Sequence, residues 1–356
     1  MKKVIFTGGG TAGHIYPIIA LIEALRSNAR VASLYVGSRN GPEKDISIKR
    51  EIKFKGIFTG KRRNYFSFSN LIDMFKIFFG LIQAYFLLKS FKPDLIFSKG
   101  GYVAFPIIFW AKRFNIPLIV HESDSIMGSI NIYASRFARK ICVGFPIEYY
   151  KEQTIQKIPF NKLVYTGIPL RKEFHNLATA KNEKPTILIT GGSQGAAKLN
   201  SLILEIVPEL VKKYEIYHLV GKNDFEEIKE KFQNENYKVI DFSENMPELM
   251  NKSDLIISRA GSTIAEISFL GKASILIPLP TAHMDHQTKN AQIYADKNAA
   301  VMLTEKGLTA SSLLSIINHL MEDNGFRELI GHHAKEFAVE DSTSEIIDLL
   351  FENLEV

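Results

Sequence analysis

Val4-Ile5-Phe6-Thr7 runs straight into Gly8-Gly9-Gly10-Thr11-Ala12-Gly13-His14, an apolar stretch that breaks into glycines and closes on a histidine. Glycines permit positive φ and a close backbone approach to a ligand. The amides that open the following helix are unpaired donors at its positive end. Such a turn can curl round a bulky anionic or polar group, and His14 is the one side chain in it able to exchange protons near neutral pH. Lys184-Pro185-Thr186-Ile187-Leu188-Ile189-Thr190 breaks in the same way into Gly191-Gly192-Ser193-Gln194-Gly195-Ala196. In Ser258-Arg259-Ala260-Gly261-Ser262-Thr263-Ile264-Ala265-Glu266 a helix start suits a diphosphate, with the Ser262 and Thr263 hydroxyls as added donors. Glu266, one turn further on, can accept hydrogen bonds from a ribose diol. The polar loop Pro278 to Asn290, with Gln287 in it, is rich in side chains able to grip a sugar.

Other chemistries fit less well. His283, Asp285 and His286 suggest a metal, yet no His-Glu-x-x-His or comparable ligand spacing accompanies them. No Asp-x-Asp pair is present to hold a metal on a nucleotide diphosphate; Glu122-Ser123-Asp124 is the nearest approach. Gly191 to Ala196 departs little from a dinucleotide fingerprint, but the strand at 215–220 ends in His218-Leu219-Val220-Gly221-Lys222 without the acid that fingerprint requires. Gly-x-Ser-x-Gly is not formed around Ser193, which removes a nucleophile elbow. The charge of a leaving group must then be met by helix starts and basic side chains, with no metal and no cofactor.

Elements of alternating type must position these residues. Strand and helix patterns follow one another at 3–7, 15–26, 32–37, 69–91, 94–98, 103–114, 117–121 and 127–138, the order of a parallel sheet covered by helices. The series restarts at 184 and continues as helix 199–213, strand 215–220, helix 224–233, strand 237–241, helix 246–250, strand 254–258, helix 262–270 and strand 274–278. Two Rossmann-like halves with the same opening are expected, joined near Val164 to Leu170. Parallel sheets bind ligands beyond the carboxyl ends of their strands, so two such edges facing each other would enclose a cleft.

A chain of 356 residues is long for one core. Its single cysteine, Cys142, allows no internal disulfide, and Met1-Lys2-Lys3 opens no secretory signal; both fit a reducing cytoplasm. The net charge of +6 conceals an asymmetry: residues 1–167 carry 25 Lys and Arg against 10 Asp and Glu, and residues 168–356 carry 19 against 28. The basic first half seeks an anionic partner. No nucleic-acid-binding motif accompanies the charge, which leaves an acidic membrane or phosphorylated substrates. Ser69 to Phe91 is apolar nearly all round, with Asp73, Lys76 and Gln83 interrupting any continuous transmembrane run. A helix buried on two sides would show this pattern; so would one with a single face on a core. In the latter the other face, Leu71, Phe75, Phe78 and Ile82, is suited to dip into a bilayer surface, with Lys61-Arg62-Arg63, Lys89, Lys92 and the stretch Phe109-Trp110-Ala111-Lys112-Arg113-Phe114 supplying cations and interfacial aromatics.

Taken in order, Gly8 to His14, Gly100-Gly101-Tyr102, His121-Glu122, Thr166-Gly167-Ile168-Pro169-Leu170-Arg171, Gly191 to Gly195 and Asp285-His286-Gln287-Thr288-Lys289-Asn290-Ala291 resemble the MurG family, the peptidoglycan N-acetylglucosaminyltransferases that convert lipid I into lipid II. The similarity covers nearly the whole chain. It implies an α/β chain of GT-B glycosyltransferase fold, two Rossmann-like domains with parallel sheets facing across a cleft. Residues 1–167 are then an acceptor- and membrane-binding domain and 168–339 a UDP-GlcNAc-binding domain, with a C-terminal helix at about 340–356 packing back on the first.

Residue by residue, the resemblance implies that Arg171, Ser193, Ser243 beside Phe242, Gly261, Ser262, Thr263, Glu266 and Gln287 hold UDP-GlcNAc. Thr11, Ala12 and Gly13 would reach it from the first domain. His14 would be the general base, and Gly10, Gly100, Gly101 and Tyr102 would line the acceptor side. The family commonly shows His-Glu-Gln-Asn where this chain has His121-Glu122-Ser123-Asp124; Asp124, a candidate donor-sugar contact, offers only acceptors where Asn offers donors too. The implied partners are UDP-GlcNAc, undecaprenyl-linked lipid I and the anionic inner leaflet of the cytoplasmic membrane, on whose cytoplasmic face the protein would sit peripherally, through Phe75, Phe78, Ile82 and Trp110. A GT-B transferase for another lipid or lipid-linked acceptor, or a non-catalytic sugar-nucleotide-binding protein, shares most of these features.

Overall fold

The computed structural model describes residues 1–355 apart from 27, 61–67, 152–157, 179–181 and 193–195, with the main chain alone at 68–70. The chain divides into two units, Met1–Arg171 with Asp341–Val356, and Lys172–Glu340. The boundary falls after Arg171 rather than after Gly167 because the crossing segment is tied to the first unit. Gly167 O accepts from His121 Nε2 at 2.8 Å, Ile168 O accepts from Ser342 Oγ at 2.8 Å, and the Arg171 guanidinium lies 4.4 Å from the Tyr16 ring centre.

In the first unit the order is β1 (Lys2–Thr7), α1 (Ala12–Leu25), β2 (Val31–Ser38), α2 (Pro42–Lys49), β3 (Phe54–Ile57), α3 (Phe68–Phe91), β4 (Leu95–Ser98), α4 (Gly101–Arg113), β5 (Leu118–Glu122), α5 (Ser129–Ser135), β6 (Lys140–Val143), α6 (Glu148–Lys151) and β7 (Leu163–Tyr165). The strands form one parallel sheet in the order β3-β2-β1-β4-β5-β6-β7. β4 and β5 are buried along their whole length, as expected of strands covered by helices on both faces. Ile15, Ile18, Ile19, Ile22 and Leu25 of α1 pack on Val4 and Phe6 of β1. The last helix of the chain, at Ser342–Leu354, brings Ile346, Leu350 and Leu354 into the same core.

The second unit runs β8 (Thr186–Thr190), α7 (Ala197–Leu210), β9 (Glu215–Leu219), α8 (Phe225–Lys231), β10 (Tyr237–Ile240), α9 (Met246–Asn251), β11 (Leu255–Ser258), α10 (Thr263–Leu270), β12 (Ser274–Leu276), α11 (His286–Asp296), β13 (Val301–Met302), α12 (Ala310–Glu322) and α13 (Asn324–Lys335). Its parallel sheet has the order β10-β9-β8-β11-β12-β13. The helix at Ser342–Leu354 is α14. In both sheets the strand order reverses beside the first strand, between β1 and β4 and between β8 and β11. Such switch points open a crevice at the carboxyl edge, and the glycine turns stand there.

The sequence reading passed over α2, β3, α6, β7, α11, β13, α12 and α13, and extended α5 from 129–135 to 127–138. α2 carries little apolar periodicity; it is held instead by Pro42 in its first turn and by Glu43, which is wholly buried.

Candidate active site

The first glycine turn is fixed by a residue that sequence reasoning missed. Glu43, at the start of α2, is 0% exposed. Its Oε2 accepts from Gly10 N at 3.1 Å and its Oε1 from Ser38 N at 2.7 Å. The Gly10 amide, in the turn expected to curl round a ligand, is thus already bound by the protein's own carboxylate. Tyr35 adds a second brace, donating from its hydroxyl to Gly8 O at 3.0 Å. No motif spacing marks Glu43; the one legible signal was a lone acid after Gly41-Pro42. Glu43→Gln would turn an N–H donor toward the Gly10 or Ser38 amide and leave it unpaired, a loss of about 1–3 kcal/mol. Thermal unfolding is expected to move down accordingly; an unshifted midpoint would show that the brace is dispensable.

The second turn meets the first directly. Gly101 has φ +72, and a Cβ there would stand 3.7 Å from Nε2 and Cδ2 of His14. Gly10 has φ +85, and a Cβ there would lie 3.2 Å from the Tyr102 ring and hydroxyl. Both conformations favour glycine. Thr11 is the N-cap of α1 without capping it through its side chain; its Oγ1 instead lies 2.8 Å from His14 Nδ1. Gly10, Thr11, Ala12, Gly13, His14, Gly100, Gly101 and Tyr102 therefore gather at the β1/β4 switch point. Partial burial raises the Tyr102 pKa, with Glu43 and Asp73 adding to it, so its phenol stays protonated at neutral pH.

Asp124 follows β5 at the same sheet edge. Its amide donates to Glu122 Oε1 at 3.1 Å and its carbonyl accepts from Tyr150 Oη at 2.8 Å. His121 is fully buried, and burial holds its pKa well below the usual histidine range; it is a neutral core residue that donates to Gly167 O. Arg171 is 2% exposed, inside the first unit.

In the second unit α10 begins immediately after β11. Ser262 is its N-cap, with no side-chain cap bond, and Glu266 stands in the first turn. Gln287 opens α11, accepts from Leu279 N at 2.9 Å, and brings Nε2 to 3.9 Å from a Cβ placed on Gly261. Asn290 donates to Ala260 O at 3.0 Å. Arg259, 6% exposed, donates to Ile277 O at 3.0 Å and Pro278 O at 3.2 Å and pairs with Glu305 at 2.6 Å. Gly261, Ser262, Thr263, Glu266 and Gln287 are thereby brought together by braces from Arg259 and Asn290, which sequence reasoning did not single out. Ser243 accepts from Asn245 N at 3.0 Å in the turn before α9. Ser193 lies outside the described residues. His286 Nδ1 bonds His283 O at 2.6 Å, and among the described residues no group of three or more His, Cys, Asp or Glu is arranged to hold a metal.

Contrary to the sequence reading, Asp73, Lys76 and Gln83 do not interrupt α3 below transmembrane length: Leu71–Phe91 is long and apolar enough to cross a membrane by length and composition. Its polar positions serve packing: Gln83 Oε1 accepts from Phe58 N at 2.8 Å, and Asp73, 7% exposed, pairs with Lys76 at 3.4 Å. The exposed face is broader than Leu71, Phe75, Phe78 and Ile82, adding Ile72, Met74, Phe79 and Phe86. Trp110 differs from these. It is partly buried, stacks on Phe114 and donates Nε1–H to Leu81 O at 2.8 Å, joining α4 to α3. Lys61, Arg62 and Arg63 lie outside the described residues.

The chain matches two family descriptions, the glycosyltransferase family 28 N-terminal domain over residues 4–143 and its C-terminal domain over residues 186–346. With its two Rossmann-like units it is a glycosyltransferase of GT-B fold. It is 37% identical over 99% of both chains to a protein of Lachnospira eligens named UDP-N-acetylglucosamine--N-acetylmuramyl-(pentapeptide) pyrophosphoryl-undecaprenol N-acetylglucosamine transferase. A Bacillus cereus protein of that name, numbered 2, is 39% identical over 91% of this chain and 93% of its own. The crystal structure of Acinetobacter baumannii MurG superposes with a TM-score of 0.75 at 27% identity, covering 99% of this chain and 100% of that one. The chain belongs to this family of N-acetylglucosaminyltransferases.

Proposed function

We propose that this chain moves GlcNAc from UDP-GlcNAc to the muramyl 4-hydroxyl of undecaprenyl-pyrophosphoryl-MurNAc-pentapeptide, lipid I, giving lipid II. The observation that carries the reading is His14, held by Thr11 and set against Gly101 at the switch point of the first sheet. With Nδ1–H donating to Thr11 Oγ1, Nε2 is the ring nitrogen that takes the hydroxyl proton. The 4-oxygen then attacks the anomeric carbon as its bond to the diphosphate breaks, with inversion, and UDP leaves.

The donor reading rests on α10. Its first-turn amides and the Ser262 and Thr263 hydroxyls suit a diphosphate, and Glu266 and Gln287 suit the ribose and the sugar. Ser193, Ser243, Arg171, Asp124 and the Thr11–Gly13 segment are further donor contacts in this reading, and Gly10, Gly100, Gly101 and Tyr102 face the acceptor. Domain roles follow the same division: residues 1–171 take acceptor and membrane, and 172–340 take the nucleotide.

The relatives' names specify an undecaprenol, hence a lipid, on the acceptor. That chemistry calls for a peripheral seat on the cytoplasmic face of the membrane, with the exposed face of α3 in the headgroup region. Lys89 and Arg113, placed over the aromatic rings of Phe114 and Phe109, would meet the anionic lipids there. Incubation with labelled UDP-GlcNAc and lipid I is expected to yield labelled lipid II and UDP. Binding of UDP-GlcNAc without any product would leave only a sugar-nucleotide-binding protein.

A further inference from the structure

One ammonium is shut inside the first unit beside this site. Lys99 directly follows β4, is 1% exposed, and donates from Nζ to Ser123 Oγ. The next two residues are Gly100 and Gly101, the turn that meets His14. The ionisable groups acting on Lys99 are Glu122 at the end of β5, Asp124 just after it and Cys142 on β6. His121 is influenced by both Lys99 and His14, so all of these share one neighbourhood.

Most of that neighbourhood is already settled. His121 is neutral, and burial pushes the Cys142 thiol up to about 12. Glu122 Oε2 accepts from Gly128 N at 2.8 Å and Asn131 Nδ2 at 3.0 Å, while Oε1 takes the Asp124 amide. The charges that answer the ammonium are the carboxylates of Glu122 and Asp124. Burial lowers the Lys99 pKa to about 8, and those two carboxylates limit the fall. Burying a cation is costly.

We propose that Lys99 is a positioning residue for the transfer: its buried ammonium, donating to Ser123, holds the Glu122-Ser123-Asp124 turn beside Gly100 and Gly101 and so sets where the sugar hydroxyl meets His14. The inference rests on the transferase reading above. Its signature is a charge coupling that a packing role would not produce.

The test compares the full-length wild type with Lys99→Met, Asp124→Asn and the double variant, measuring kcat and KM for UDP-GlcNAc and lipid I from pH 6.5 to 9.5. Wild-type kcat/KM is expected to fall above about pH 8 as Lys99 loses its proton. In Asp124→Asn that limb moves to lower pH, because one of the two carboxylates holding the proton is gone. Lys99→Met loses the limb and about ten- to a hundredfold in kcat at pH 7. The double variant, with the charge balanced again, recovers most of that loss. A Lys99→Met enzyme with wild-type rates and limb, or a double variant no faster than Lys99→Met, overturns the proposal. If Lys99→Met does not fold, as judged by circular dichroism, the limb in Asp124→Asn decides, and an unmoved limb overturns it. No lipid II from the wild type would instead overturn the transferase reading itself, and this inference with it.

Discussion

His14→Ala is expected to lower kcat by about two to four orders of magnitude, the usual contribution of a positioned general base. UDP affinity should stay close to the wild-type value, since the nucleotide is assigned to α10 and α11. The distinction is informative because His14 opens α1 from inside a glycine turn, where it could equally be a ligand-binding or a merely solvated side chain. Loss of turnover together with UDP affinity would make it a binding residue. Near-normal turnover would remove it as the base. Thr11→Val supplies the finer test: it deletes the partner 2.8 Å from Nδ1 without touching Nε2. It should lower kcat more than KM if that contact selects the tautomer with Nε2 unprotonated.

Replacing Phe75 and Phe78 together with glutamate is expected to weaken partition onto anionic vesicles by about two to four orders of magnitude. Both rings are more than half exposed, at 56% and 58%. Returning a phenylalanine to water costs about 1.5–3 kcal/mol, and two added carboxylates meet a negative surface. Sedimentation with phosphatidylglycerol vesicles measures the effect directly. Transfer to membrane-embedded lipid I should fall much further than transfer to a short-chain, water-soluble acceptor. Unchanged sedimentation would return α3 to an ordinary packing helix.

These two predictions differ in how far they were legible. The motif Gly8 to His14 carries its own local meaning: a strand, a run of glycines and a helix can be recognised within eleven residues, and the second opening at Gly191 repeats it. Fold class follows from that repetition and from the alternation of elements. α3 was legible as apolar on both faces. How far that surface extends was not, because burial depends on neighbours distant in sequence. Phe58 and Gly60 pack on one side of the helix, where a Cβ on Gly60 would run into Asp73 O, and that leaves Phe79 and Phe86 outside. Trp110 illustrates the reverse: its composition suits a membrane interface, yet its N–H is used by Leu81 O.

By itself the sequence determined the two Rossmann-like halves, the glycine turns that end their first strands, the helix start at Gly261 to Glu266 and the histidine that stands among them. Each of these is a local pattern, fixed by glycine's freedom of φ and by the periods of strand and helix. The tertiary structure alone decided which distant residues hold those patterns in place. Glu43, thirty-three positions from Gly10, closes the first turn; Lys99 reaches Ser123, and Arg259 ties the loop at 277–278 to Glu305. Buried charges of this kind leave no period in the sequence, because what selects them is the need to satisfy polar groups where strands from remote parts of the chain end side by side. The opening glycine turn is accordingly less an empty cradle than a braced wall, with His14 set against Gly101 on its open side.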